Sequence, residues 1–176
     1  MYLPHYKYRF VQRVYDPNFG DLFFLYKLLY TFKSSKSNQW YWVWVEVYEK
    51  DMYVIKFHLK AHRNSNDKYG LMTGLFEARP VIYTCIAIMQ EIALSNSHAS
   101  FGFVGANMEG ESECMTKRFK VYSRIMATYF SNDEFKHFML LQKSAYLLIR
   151  KSELAIHPDL PSYFDLKFKQ LYDYLD

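Results

Sequence analysis

Cysteine is scarce: Cys85 and Cys114 are the only two in 176 residues, and they show neither CxxC nor any other paired spacing. That excludes a disulfide framework and a thiolate zinc site, and makes a reducing, cytoplasmic setting the simplest expectation. With only 6 Gly and 5 Pro the chain has no stretch that reads as a long flexible linker, so one folding unit over residues 1–176 is expected. The net charge is +4, but no run of five or six like charges occurs, which argues against a nucleic-acid stripe as the organising feature. The longest near-continuous apolar run, Val81 to Met89, falls short of the ~20 residues that cross a bilayer. The N-terminal MYLPHYKYRF lacks the basic, apolar and small-residue regions of a signal peptide. No GxSxG elbow, Walker loop, HExxH pair or dinucleotide fingerprint is present, so the commonest motif-borne chemistries are not indicated.

Aromatic residues are what the chain has in plenty: 17 Tyr and 15 Phe, a composition that predicts a packed, sheet-containing globule. Tyr6 to Tyr15 alternates like a half-exposed strand and stops at Asp16-Pro17-Asn18. Leu22 to Lys33 is open between helix and strand, its aromatic and β-branched content favouring a strand. Gln39 to Tyr48 and Met52 to His62 are the clearest strands, joined at Glu49-Lys50-Asp51. A three-residue loop there sets Val47 opposite Tyr53, Val45 opposite Ile55, Val43 opposite Phe57 and Tyr41 opposite Leu59, which keeps one face wholly apolar.

The other face carries Trp40, Trp42 and Trp44 with Lys56, His58 and Lys60. Such a patch calls for a cover: a helix of this chain with lysine stems across the rings, a homodimer contact, or a ligand platform. His58 and His62 lie on that same side, but about 13 Å apart along an extended strand, too far to share one metal.

Downstream, a polar loop precedes a helix that runs to Ser95, with Pro80 near its start and Val81, Ile82, Cys85, Ile86, Ile88, Met89 and Ile92 covering most of its surface. The segment Ser100 to Tyr122, SFGFVGANMEGESECMTKRFKVY, then reads as buried strand, glycine-bearing loop and helix. Thr116 is the expected N-cap, and Phe119, Tyr122, Met126 and Tyr129 form the apolar face. Lys117 and Arg118 oppose the helix dipole at a cost of roughly 0.3–1 kcal/mol each. A bound phosphate or carboxylate would relieve this, so Asn107, Thr116, Lys117 and Arg118 are the candidate anion-binding residues; a solvated basic face is the plain alternative. Phe135 to Gln142 and Ser144 to Lys151 close the sheet as two strands, and Tyr163 to Leu175 predicts a last helix.

The expected fold is therefore α+β: a mixed, mostly antiparallel sheet of about seven strands with two helices packed on it and a C-terminal helix. N-terminal strands occupy 1–38, the core 39–151 and a helical extension 152–176. This order resembles the GNAT-type acyltransferase fold without its first helical excursion, over roughly Gln39 to Lys151, as a likeness of element order rather than of a motif. The resemblance implies an acyl-CoA, such as acetyl-CoA, lying between splayed fourth and fifth strands, its pyrophosphate on a Gly-rich loop before the next helix. The equivalent loop is RNSNDKYGLMTG, in which Gly70 and Gly74 stand four apart and neither follows Arg or Gln by three residues, as the family pattern requires. The resemblance also implies a tyrosine general acid on the helix after the fifth strand, for which Tyr122 is the nearest match. The runs FGFVGANMEGE, TKRFKVY and SAYLL further resemble a family of small Bacteroidota proteins that carries no assigned activity. Two expectations follow: a non-catalytic GNAT-like domain that binds an anionic ligand or a protein partner, and an acyl-CoA-dependent N-acyltransferase with an irregular cofactor loop. Parting of the fourth and fifth strands would favour the second.

Overall fold

The computed structural model describes residues 3–15, 23–69, 74–104, 116–140 and 145–172. Strands β1 (Tyr8–Val14), β2 (Phe24–Lys33), β3 (Trp40–Tyr48) and β4 (Met52–Leu59) come first, then helix α1 (Ala78–Ser95) and strand β5 (Ser100–Val104). Helix α2 (Lys117–Tyr129), strands β6 (Phe135–Leu140) and β7 (Ala145–Arg150), and helices α3 (Lys151–Ile156) and α4 (Leu160–Tyr172) follow. The strands form one open sheet in the order β1-β2-β3-β4-β5-β7-β6. Every neighbouring pair is antiparallel except β4 and β5, which run parallel across the α1 crossover.

The β3–β4 hairpin has the register that its apolar pattern requires, with Val47 opposite Tyr53, Val45 opposite Ile55, Val43 opposite Phe57 and Tyr41 opposite Leu59. Its turn places Lys50 and Asp51 at φ of 58° and 53°, a left-handed path that carries a backbone cost for non-glycine residues. Asp51 is held there from two sides, since Asn96 Nδ2 donates to its carboxylate at 2.8 Å and Ser100 N donates to its carbonyl at 2.9 Å. The hairpin tip thus anchors both the end of α1 and the start of β5.

One sheet face, with Val43, Val45, Val47 and Tyr53, packs under α1 and α2 around Ile82, Ile86, Ile88 and Met126. The opposite face, with Tyr48, Met52, Val54, Leu147 and Ile149, packs under α4 through Leu160, Phe164 and Phe168. Cover on both sides explains why β7 is an unbroken apolar run, whereas β1, an edge strand, keeps charged residues exposed.

Several expectations are corrected. Residues 24–33 are strand, not helix. The fourth strand ends at Leu59, and Lys60–His62 make a 3-10 turn, so the 13 Å spacing of His58 and His62 along an extended strand does not apply. Lys151 opens a helix rather than ending a strand, and α3 went unread because six residues carry too little periodicity to identify a helix. The last helix starts three residues earlier than expected and holds Pro161 in its first turn, where a missing N–H costs nothing. Of the tryptophans, Trp42 and Trp44 are half-buried and Trp40 is exposed. Lys60 stands over Trp42 at 5.9 Å, but Lys56 turns away to Glu46 at 3.0 Å and to the ring of Tyr69. Among the described residues no helix is long and apolar enough to cross a membrane.

Candidate functional site

Strands β4 and β5 pair only at Met52–Ser100, Tyr53–Phe101 and Val54–Gly102. Beyond that point β5 pairs with β7 alone, Phe103 opposite Tyr146 and Val104 opposite Ala145, while β4 continues to Leu59 with no strand on this side among the described residues. Its backbone groups from Ile55 onward are therefore not used by the sheet there. Gly102 sits at the point of parting. A Cβ on it would lie 3.3 Å from Leu147 Cδ2 and 3.6 Å from both Met52 Sδ and Val54 Cγ2, so the close approach of three strands favours glycine.

The gap leads into two cavities. The smaller, about 40 Å³, is apolar and lies between Ile55, Phe57, Phe103, Tyr122 and Met126. The larger, about 320 Å³, is within the range of small-molecule sites. Phe57, His58 and Leu59 of β4 form one wall, and His62, Lys68 and Tyr69 of the following segment form the next. Gly74 and Glu77 close the side towards α1, and Lys117, Arg118 and Tyr122 of α2 complete the enclosure. Phe57 and Tyr122 line both cavities.

The basic wall follows from how α2 begins. Thr116 is fully buried and its hydroxyl accepts from Phe119 N at 3.1 Å, an N-cap with the expected partner. Phe119 is buried beside it, which fixes the helix and turns Lys117 and Arg118 to the cavity. Arg118 Nη1 donates to the Tyr69 carbonyl at 2.7 Å and so ties α2 to the segment after β4.

Glu77, 3% exposed, is the carboxylate of this cavity. Burial acts to raise its pKa, but hydroxyl donors from Ser34, Tyr41, Ser37 and Tyr6 more than offset this, and its net direction is down. Ser37 and Tyr41 donate to Oε1 at 2.7 Å each, Tyr6 donates to Oε2 at 3.3 Å, and Ser34 also donates to Oε2. The charge is held in place by neutral donors from β3, the β2–β3 turn and the N-terminal segment.

His58 is also 3% exposed. Its Nδ1 lies 2.7 Å from the Leu59 carbonyl, which can only accept, so Nδ1 carries the proton. Its Nε2 is buried without a hydrogen-bond partner, as is Nδ1 of His62. Burial holds the His58 pKa below the ordinary histidine value, against the smaller opposing effect of the Leu59 carbonyl, so the ring is neutral near pH 7. Burial likewise pushes the Tyr122 phenol well above its ordinary range, and it stays protonated.

Four residues singled out from sequence, Gly74, Lys117, Arg118 and Tyr122, meet around one cavity. Thr116 caps the helix instead of lining the space, and Asn107 and Gly70 lie outside the described residues. The glycine of the loop, Gly74, has φ +66° with no atom within 4 Å of a Cβ position. Sequence reading missed Lys68, Tyr69 and Glu77, and took His58 only as part of the tryptophan face. The one available signal was that a histidine stands in an apolar strand. Among the described residues no group of three or more His, Cys, Asp or Glu could hold a metal ion. Compared with protein-family models, with curated proteins and with solved structures, the chain matches none.

Proposed function

We propose that this chain is a GNAT-like acyltransferase that moves an acyl group from acyl-CoA, such as acetyl-CoA, to an amine. The observation that carries the reading is the parting of β4 and β5 after Val54 and Gly102 into a cavity walled by Lys117, Arg118 and Tyr122. Acyl-CoA supplies an activated thioester and a negatively charged diphosphate. The unpaired backbone of β4 beyond Val54 offers hydrogen bonds to an extended thioester arm, in the manner of an added strand. Lys68, Lys117 and Arg118 provide the positive field that a diphosphate needs. At Gly74 the open space and positive φ leave the main chain approachable. Tyr122, protonated and between the two cavities, is placed to give its proton to a leaving thiolate.

Calorimetric titration with acetyl-CoA, and separately with CoA, tests the reading. Micromolar binding of both, weakened by Lys117→Ala, is the expected result, and no heat over a wide concentration range would overturn it.

A second reading is a non-catalytic domain that holds an anion at the same basic wall. It is favoured by the state of Glu77, whose two oxygens are each taken by two hydroxyl donors, so the carboxylate of this cavity has little capacity left to act as a base. Binding of CoA without acyl transfer to any amine would support it.

A further inference from the structure

We propose that His58 is the catalytic base of this site, its Nε2 taking the proton of the attacking amine; this rests on the acyltransferase reading. The ring is 3% exposed, lines the larger cavity and has a buried Nε2 with no hydrogen-bond partner. A buried polar atom left without a partner carries an energetic cost and calls for an explanation. The Leu59 carbonyl supplies part of it, because accepting from Nδ1 at 2.7 Å it fixes the tautomer in which Nε2 bears a lone pair. Trp42 and Tyr69 pack edge-on against the ring at 6.0 and 5.4 Å between centroids and hold its orientation. The position is also the relevant one, since His58 lies on the stretch of β4 that has already parted from β5.

The surroundings narrow the substrate. Phe57, Leu59, Val81, Ile82 and Val121 line the same cavity as apolar surface. Lys68 and His62 face the ring from the segment after β4, Lys117 and Arg118 stand on α2, and Glu77 is the carboxylate at the start of α1. A polyamine would meet too much positive charge, whereas one amino group on an apolar skeleton would not. In the step itself the amine nitrogen adds to the thioester carbonyl, forming the C–N bond. Nε2 removes the proton that this addition makes acidic. The C–S bond then breaks and the sulfur takes the Tyr122 phenolic proton. Water returns the imidazolium proton to the tyrosinate, leaving an amide and a free thiol.

The test combines acetyl-CoA with 2-phenylethylamine and, separately, spermidine, using the wild type and His58→Gln. The expected result is acetylation of 2-phenylethylamine in preference to spermidine, with a turnover number at least about 100-fold lower in His58→Gln. Calorimetric affinity for acetyl-CoA should change less than twofold, and the acidic limb of the wild-type pH profile should disappear in the variant. Should the variant not fold, nitrogen NMR of the wild-type histidines decides instead. An Nδ1–H tautomer for His58, with an Nε2 shift that moves on adding 2-phenylethylamine, supports the role, and an Nε2 signal indifferent to the amine overturns it. Acetyl-CoA bound with neither amine acetylated, or equal turnover in the variant, also overturns it. Absence of acetyl-CoA binding overturns the acyltransferase reading itself.

Discussion

Val54 and Gly102 are the last residues at which β4 and β5 stand side by side, and the cavities begin where that partnership ends. A Cβ at Gly102 would approach the end of the flexible Leu147 side chain at 3.3 Å, so alanine should be tolerated at small cost. Gly102→Val adds two more carbons between three packed strands and should lower stability by about 1–3 kcal/mol. Urea denaturation of both variants measures the difference, and equal midpoints would show that the strands are less tightly apposed there.

Glu77 ties the N-terminal segment, the β2–β3 turn and β3 to the start of α1. Glu77→Gln keeps the shape but removes the charge and introduces donors facing donors. A loss of about 1.5–3 kcal/mol is expected from the charged hydrogen bonds, seen as a fall in Tm of roughly 2–4 °C per kcal/mol. An unchanged Tm would mean that the hydroxyls do not depend on the carboxylate.

Lys117 is exposed and Arg118 half-buried, and the two should respond differently. Lys117→Ala should weaken acetyl-CoA binding by roughly tenfold, about 1.4 kcal/mol, with stability little changed. Arg118→Ala should weaken binding and also lower Tm, because its bond to the Tyr69 carbonyl is lost. The prediction that both could be removed without loss of stability, natural for a solvated helix face, is thereby revised for Arg118. Calorimetry paired with thermal denaturation separates the two effects.

Tyr122→Phe deletes one hydroxyl between the cavities. The turnover number should fall about 100-fold or more while the KM for acetyl-CoA stays close to wild type, as for a group used only in the transition state. A raised KM with unchanged turnover would assign the hydroxyl to binding instead.

Acid should destabilise the protein through two histidines. Burial lowers the folded-state pKa of His58 and of His137 below about 6.5, so the unfolded chain binds more protons between those folded values and 6.5. Stability therefore falls as pH drops through that window. His98 has the opposite sign: its hydrogen bond to Glu153 at 2.5 Å raises its pKa, and its contribution is present below about pH 6.5 and lost as pH rises through the folded value. Proton NMR titration reads all three. Glu153→Gln should return His98 towards about 6.5, and no change on that substitution would remove the pair from the account.

The β3–β4 register was legible because period-two alternation and a short turn are local and mutually restrictive. So was the start of α2, where Thr116 and the spacing of Phe119 and Met126 act within a few residues. The Glu77 cage was not legible, because its donors Tyr6, Ser34, Ser37 and Tyr41 lie 36 to 71 positions away in the chain and none of them forms a motif. The parting of β4 from β5 was not legible either, since Gly102 alone does not say which strands converge on it.

By itself the sequence determined the strands, the hairpin register, the buried helix α1 and the basic opening of α2, because backbone propensity, side-chain period and capping act over a few neighbouring residues. Only the tertiary structure decided that Gly74, Lys117, Arg118 and Tyr122 face one cavity with His58, and that the His58 Nε2 is left without a partner. Those facts depend on the parallel β4–β5 crossover, which brings distant segments together, and on burial, which removes water as an alternative partner.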